Sequence, residues 1–380
     1  MRAPLMPNAA ADSADLAALR ADVRRFIAVQ IESGLFTPDV DTWLTGWDEE
    51  FSRALAERGW LGMTIPVEYG GHGRSFVERF VVTEELLAAG APVAAHWMSD
   101  RQAAPSLLKF GTERQKKHFL PAISRGECFW AVGMSEPDSG SDLASIRTKA
   151  ERVDGGWEIT GTKVWTSGAH RAHALTVLAR TAPADAASRH AGMSQFIVEL
   201  PAPGVGIRPI RSMDGSHHFN ETHLDAVFVP DEMVLGTIGD GWHQVTSELS
   251  FERSGPERVL STYVLLTEVI AAVRREQLPF HPDLGRYVAR LSGLRRMSSA
   301  VAAALERGEP VQAAAAVVKV LGTTTEGDVA DLADRLVGVG SPPRLRELVA
   351  RAVLQRPGFT LRGGTNEVLR GLIAREMGIR

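Results

Sequence analysis

Apolar residues recur at helical spacing through the first third of the chain. Leu16, Leu19, Val23, Phe26 and Ile27 fall on one helix face, with Ser13 placed to cap it and Asp15 suited to its first turn. Arg79 to Gly90 repeats the pattern and stops at glycine, a common helix end. Phe110 to Ile123 predicts a further short helix ending near Pro121. From about Phe129 the period changes to that of strands. An Asp-Gly turn signal lies within Val153 to Trp165, and Ala174 to Thr181, Gln195 to Leu200 and Thr222 to Pro230 are β-prone. Beyond Trp242 the helical period returns. Val259, Tyr263, Leu266 and Ile270 form a stripe, and the alanine-rich run Val311 to Gly322 reads as a buried helix.

The order helices, β, helices predicts an α+β multidomain chain. Its expected parts are an N-terminal helical domain over 1–128, a middle β-barrel or sandwich domain over 129–240, and a C-terminal helical domain over 241–380. The 380 residues, 44% of them hydrophobic, suffice for two or three domains with substantial cores. A formal net charge of −4 with dispersed basic residues argues against nucleic acid as a partner. No run approaches ~20 consecutive apolar residues, so no membrane insertion is expected. The first residues lack the pattern of a secretory signal. Cys128 is the only cysteine, which excludes an internal disulfide and suits a reducing cytoplasm. It reads as a packed small apolar residue, with a nucleophile as the alternative.

Several chemistries lack their motifs. There is no GxGxxG after a strand, no Walker A loop, no HExxH and no GxSxG. His170 and His173 at i, i+3, and the adjacent His217 and His218, supply no third ligand at fixed spacing, so no metal is expected.

Three stretches carry the functional signal. They are AVGMSEPDSGSDLASIRTKA (Ala131 to Ala150), GTKVWTSGA (Gly161 to Ala169) and RGGTNEVLRGLIARE (Arg362 to Glu376). Taken singly, they read as a surface turn, a strand with a core tryptophan and a capped helix start. In this order on a helix–β–helix background, they resemble the acyl-CoA dehydrogenase family of flavoproteins. Gly59 to Gly73 and Lys109 to Pro121 resemble family segments too.

The resemblance implies a C-terminal four-helix bundle, FAD as cofactor, and an oligomer, dimeric or tetrameric, of like or unlike chains. It implies α,β-desaturation of an acyl thioester, with a base taking the α proton and flavin N5 taking the β hydride. Acyl-CoA, or a carrier-bound acyl thioester, is the implied substrate, and an electron-transferring flavoprotein the implied acceptor. By resemblance, Val132, Met134 and Ser135 line the flavin, Trp165 packs on it, and Ser167 reaches its N5 side. Ser141 contacts FAD or the thioester arm, and Thr365 and Glu367 contact FAD.

Many relatives carry the catalytic glutamate at the position of Gly363. A glycine accepts no proton, although its N–H can still donate to a thioester carbonyl. Relatives of the isovaleryl-CoA and long-chain branch place the glutamate directly before an arginine on the first bundle helix. Glu252 followed by Arg253 matches that pattern, so Glu252 is the expected base and Arg253 a substrate-side residue. Glu248, one turn earlier, is the main rival; Glu257 points elsewhere by helical geometry, and a surface role for Glu252 is the bland alternative. Pro256 cannot donate to the Glu252 carbonyl, so the helix should loosen there.

Two family elements are altered. Val273 to Tyr287 lacks a clean Arg-x-x-Phe-Gly, and Asp334 to Gly340 lacks the glutamine and first glycine of Gln-x-x-Gly-Gly-x-Gly. In relatives these segments bind the adenine half of FAD across the dimer. The alternatives are therefore a non-catalytic or partner-dependent subunit of a heteromer, and an oxygen-using flavin oxidase or monooxygenase on the same fold.

Overall fold

A computed structural model of the chain describes residues 6–8, 13–183, 188–253 and 255–379, the side chains of 248–252 excepted. Before the sheet come α1 (Ala14–Glu32), α2 (Thr42–Thr45), α3 (Glu49–Glu57), α4 (Phe76–Ala88), α5 (Ala94–Met98), α6 (Ala104–Phe110) and α7 (Glu113–Ser124). Local chemistry sets their starts. The Ser13 hydroxyl accepts from the Leu16 N–H. Ser75 with Glu78, and Thr112 with Gln115, form reciprocal capping boxes. Pro121 lies within α7, which runs on to Ser124.

The strands are β1 (Trp130–Gly133), β2 (Lys149–Val153), β3 (Gly156–Lys163), β4 (Ala174–Arg180), β5 (Met193–Glu199), β6 (Val205–Ile210), β7 (Phe219–Pro230) and β8 (Val234–Leu235). They form one mixed eight-stranded sheet, ordered β6-β7-β3-β2-β4-β5-β8, with β1 parallel to β4. The expected middle β domain is present as this sheet, which is not a closed barrel. The strands at its two ends do not pair: β8 has two residues, and β6 carries Pro209, which has no N–H for a further ladder.

Helices α8 (Gly241–Glu252), α9 (Tyr263–Arg274), α10 (Asp283–Glu306), α11 (Gln312–Leu336), α12 (Pro343–Phe359) and α13 (Asn366–Glu376) follow. Helix α8 stops at Glu252, and Pro256–Arg258 forms a 3-10 turn, as a proline at 256 demands. Val259, expected on one stripe with Tyr263, Leu266 and Ile270, lies outside α9; that helix buries Val264, Leu265, Leu266 and Val269.

The chain divides into two compact units. One comprises Met1–Trp47, Arg74–Val93 and Ser250–Arg380; the other comprises Asp48–Gly73 and Ala94–Leu249. In the first, α9 to α12 form the four-helix bundle, packed through Leu265, Tyr287, Leu332 and Leu348. In the second, Ile159, Leu175, Val177, Phe196 and Val227 form the core on one side of the sheet. Phe119, Leu120 and Ile123 of α7 cover Trp130 and Ile197. Strand β4 is buried on both faces except at its last residue, which explains its nearly unbroken apolar run.

Gly322 tests tight packing inside the bundle. It is a helical residue of α11, where alanine would ordinarily gain about 1 kcal/mol. A methyl there would fall well inside contact distance of the Arg258 carbonyl oxygen and press on Val259. Backbone cannot yield as a side-chain tip can. Gly322→Ala is therefore expected to destabilise by about 1–3 kcal/mol in urea unfolding, reversing the helix-propensity sign.

Candidate active site

Two groups of predicted residues assemble, one in each unit. In the sheet unit, Val132 lies in β1, which ends at Gly133, and Met134 and Ser135 follow it. The Val164 N–H donates to the Ser135 carbonyl at 2.9 Å, tying this segment to the Trp165 turn. The hydroxyls of Ser135 and Ser167 have no hydrogen-bond partner among the described residues. Trp165 is 57% exposed, against the alternative of a core strand residue. Its φ is 61°, an unusual left-handed value for a bulky residue. Its ring meets Phe219 edge-on at 5.5 Å. Ser141 lies apart from these, exposed on the turn after Ser139.

A buried ion pair underlies this group. Lys163 Nζ donates to Glu136 Oε1 at 2.8 Å and to the Met134 carbonyl at 3.1 Å. The Glu136 carboxylate also accepts the N–H groups of Arg147 and Thr148, at 2.6 and 2.9 Å. Burial pushes the Lys163 ammonium down to about 8, with Glu136 opposing the shift. Sequence reasoning missed both roles. Their only signal was a charged residue at each of two positions within otherwise recognisable stretches.

The bundle unit holds the second group. Arg253 Nε donates to the Gly363 carbonyl at 3.1 Å. Gly363 and Gly364 have φ of 69° and 85°, so two successive residues are left-handed. Their N–H groups have no partner among the described residues. Such successive free N–H groups suit a developing oxyanion. Thr365 caps α13 by accepting from Val368 N–H at 3.3 Å. Glu367 is exposed in the first turn, its carboxyl held below the usual range by its own N–H and Thr365. Glu252 is the last residue of α8, adjacent to Arg253; the side chains of Glu252 and Glu248 lie outside the described residues. Glu257 is 1% exposed in the 3-10 turn.

Arg362 anchors the turn from behind. Its guanidinium grips Asp41 through two bonds of 2.6 Å and lies 4.6 Å from the centre of the Trp43 ring. The Trp43 indole donates to Ser261 Oγ at 3.2 Å, and Ser261 N–H donates to Glu326 Oε1 at 2.7 Å. Burial raises the Glu326 carboxyl from 4.5 to about 7, with Arg362 opposing and Asp41 adding to the rise.

Other expectations can be placed. Among the described residues, no group of three or more His, Cys, Asp or Glu could hold a metal ion. No described helix is long and apolar enough to cross a membrane. Cys128 is buried, and burial pushes its thiol up to about 12, which favours the packed reading over a nucleophile.

Profiles of the acyl-CoA dehydrogenase N-terminal, middle and C-terminal domains match residues 13–127, 131–227 and 239–378. The chain belongs to the acyl-CoA dehydrogenase family. It is an FAD-dependent oxidoreductase by that membership. Acyl-CoA dehydrogenase IpdE1 of Mycobacterium tuberculosis (strain ATCC 25618 / H37Rv) is 35% identical over 334 residues, 85% of this chain and 86% of its own. Acyl-CoA dehydrogenase FadE34 of the same organism is 46% identical over 210 residues, 54% of this chain, but the match spans only 28% of FadE34. A solved structure described as the Tcur3481-Tcur3483 steroid ACAD has a TM-score of 0.84 at 32% identity, covering 97% of this chain and 99% of that one. The donor set of the sheet unit fits the family's FAD: two hydroxyls with no partner among the described residues and an exposed indole share one tethered patch.

Glu326 generates a pH prediction. Its folded value lies above its ordinary one, so the folded state keeps a proton between about 4.5 and about 7 that the unfolded state has released. Stability from this group therefore falls as pH rises through that window. Glu326→Gln retains an acceptor for Ser261 but removes the titration. The variant is expected to exceed the parent by up to about 3 kcal/mol above pH 7, with the gap shrinking toward pH 4.5, as read from urea midpoints across pH.

Proposed function

We propose that the chain is an acyl-CoA dehydrogenase that desaturates an acyl thioester, with Glu252 as the base. The observation carrying this reading is the Arg253 to Gly363 bond, which joins the end of α8 to the RGGT turn. Glu252 then takes the α proton, and the Gly363 N–H opposes charge growing on the thioester carbonyl. Arg253 keeps the Gly363 peptide oriented for that donation. Val132, Met134, Ser135, Trp165, Ser167, Thr365 and Glu367 are the residues this reading assigns to the cofactor. When bound, FAD accepts the β hydride. Ser141 contacts the thioester arm or FAD. The name of the steroid ACAD neighbour supports a bulky, ring-bearing acyl group, carried on CoA or a carrier protein.

The electron acceptor in this reading is an electron-transferring flavoprotein, and the compartment is the cytoplasm. Assembly is oligomeric. A partner-dependent form is favoured by one observation: Phe280 and Val339, in the two altered adenine-arm segments, are 72% and 91% exposed. Solvent-facing apolar side chains at both places suit completion by a second, related chain. Full FAD occupancy of the chain purified alone is the result that removes this second reading; flavin retained only with a co-expressed partner supports it.

The base assignment has its own test. Glu252→Gln keeps size and hydrogen bonding but cannot take a proton. It is expected to retain FAD and to slow flavin reduction by acyl-CoA by about 10²–10⁴-fold in single turnovers. Unchanged reduction would reject Glu252.

A further inference from the structure

The ladder between β3 and β7 gains one residue just before the candidate flavin contact. Lys163 pairs with Thr222 in register. Three residues later on one strand and two on the other, Thr166 and Asn220 exchange both backbone bonds, at 3.0 and 3.1 Å. The extra residue makes a β-bulge, and Trp165 within it takes the left-handed conformation. That conformation costs a non-glycine residue roughly 1–2 kcal/mol, so neighbouring contacts must hold it.

Asn220 supplies such contacts. It is fully buried. Its Nδ2 donates to the Thr166 carbonyl at 2.9 Å, doubling the backbone bond there. The same amide nitrogen donates to His170 Nδ1 at 3.1 Å. Its Oδ1 accepts from His217 Nε2 at 2.9 Å. An amide nitrogen only donates and an amide oxygen only accepts, so His170 Nδ1 must be unprotonated and His217 Nε2 must carry hydrogen. The two imidazoles stack at 4.1 Å, inclined by 21°. Partial desolvation, with His217 and Arg171 nearby, holds His170 below its ordinary value, which favours the required acceptor form. Gly168 N–H closes the turn on the His218 carbonyl at 2.8 Å.

We propose that Asn220, oriented by the His170–His217 stack, is a positioning residue that locks the Trp165 bulge and so presents the indole to the flavin. The proposal rests on the reading of Trp165 as a flavin contact. It assigns work to two histidines that carry no metal motif.

The test uses the flavin-loaded protein and two readouts besides activity, visible circular dichroism of the flavin and the FAD dissociation constant. Trp165→Ala is expected to alter the dichroism and weaken FAD. Asn220→Ala should shift the dichroism in the same sense and weaken FAD about fivefold, near the net worth of one hydrogen bond. In the Trp165→Ala background, Asn220→Ala should add little, because its effect runs through the indole. His170→Ala, at an exposed ring, should give a smaller shift of the same sign. If Asn220→Ala fails to fold, His170→Ala decides alone, and an unchanged flavin signal overturns the proposal. Full additivity of Asn220→Ala with Trp165→Ala also overturns it. No flavin change in Trp165→Ala itself sinks the underlying contact instead.

Discussion

The sheet unit depends on the ion pair between Lys163 and Glu136. Taking both charges out of water costs several kcal/mol for each, so the arrangement survives only with nearly complete hydrogen bonding. Four bonds meet that demand, and together they fix three pieces of chain: Lys163 bonds to the Met134 carbonyl and the Glu136 carboxylate, which also accepts the N–H groups of Arg147 and Thr148. The segment after β1, the entry to β2 and the end of β3 are thereby held to one point. The candidate flavin residues lie on those same pieces. Ser135 and Trp165 sit two residues beyond Gly133 and Lys163 respectively, so the buried pair sets where both emerge.

The bundle unit solves a related problem with a second buried lysine. Lys319 Nζ donates to the Thr360 carbonyl and to Asn366 Oδ1, both at 2.9 Å. These residues bracket the RGGT turn. Arg362 is gripped from the other side by Asp41, and Arg253 holds the Gly363 carbonyl. Three cations thus bind a turn whose two left-handed glycines would otherwise have many accessible states. In both units, a charged group that touches no predicted ligand determines the shape of the strand or turn that does.

Much of this architecture was readable where the controlling interaction is local. Ser13, Ser75 with Glu78, and Thr112 with Gln115 announce helix starts because their caps span three residues. Strands β3, β4, β5 and β7 follow from their β-prone runs. Strand β1 escaped because three of its four residues are buried and show no alternation, and β6 because Arg208 and Pro209 interrupt a half-exposed edge. Whether the sheet closes was hidden for a similar reason: closure depends on terminal strands whose weakness is not visible in the central ones. The bulge at Trp165 was not readable. It arises from a count difference between strands more than fifty residues apart, as the Lys163 to Thr222 register makes plain. The couplings of Glu326 to Ser261 and of Asn220 to Thr166 and His170 are equally nonlocal.

The same distinction bears on the missing acid at Gly363. Sequence alone presents that glycine as a lost base. Its φ of 69° and that of Gly364, 85°, make it a requirement of the turn adopted here, since a side chain at either position would be strained. A carboxylate must then come from a different element if this turn is to bind the thioester carbonyl. The Arg253 bond to Gly363 brings the backbone after α8 to the turn from 110 residues away in sequence. Of the acids on α8, Glu252 is the one adjacent to that bond; Glu248 lies a full turn back along the helix. Helix α8 also ends at this point, with Pro256 preventing its continuation, so the residue before Arg253 is released from a regular helical neighbour on its C-terminal side. Turn and base position are therefore linked: the backbone conformation that excludes an acid at Gly363 is stabilised by the residue next to its proposed replacement.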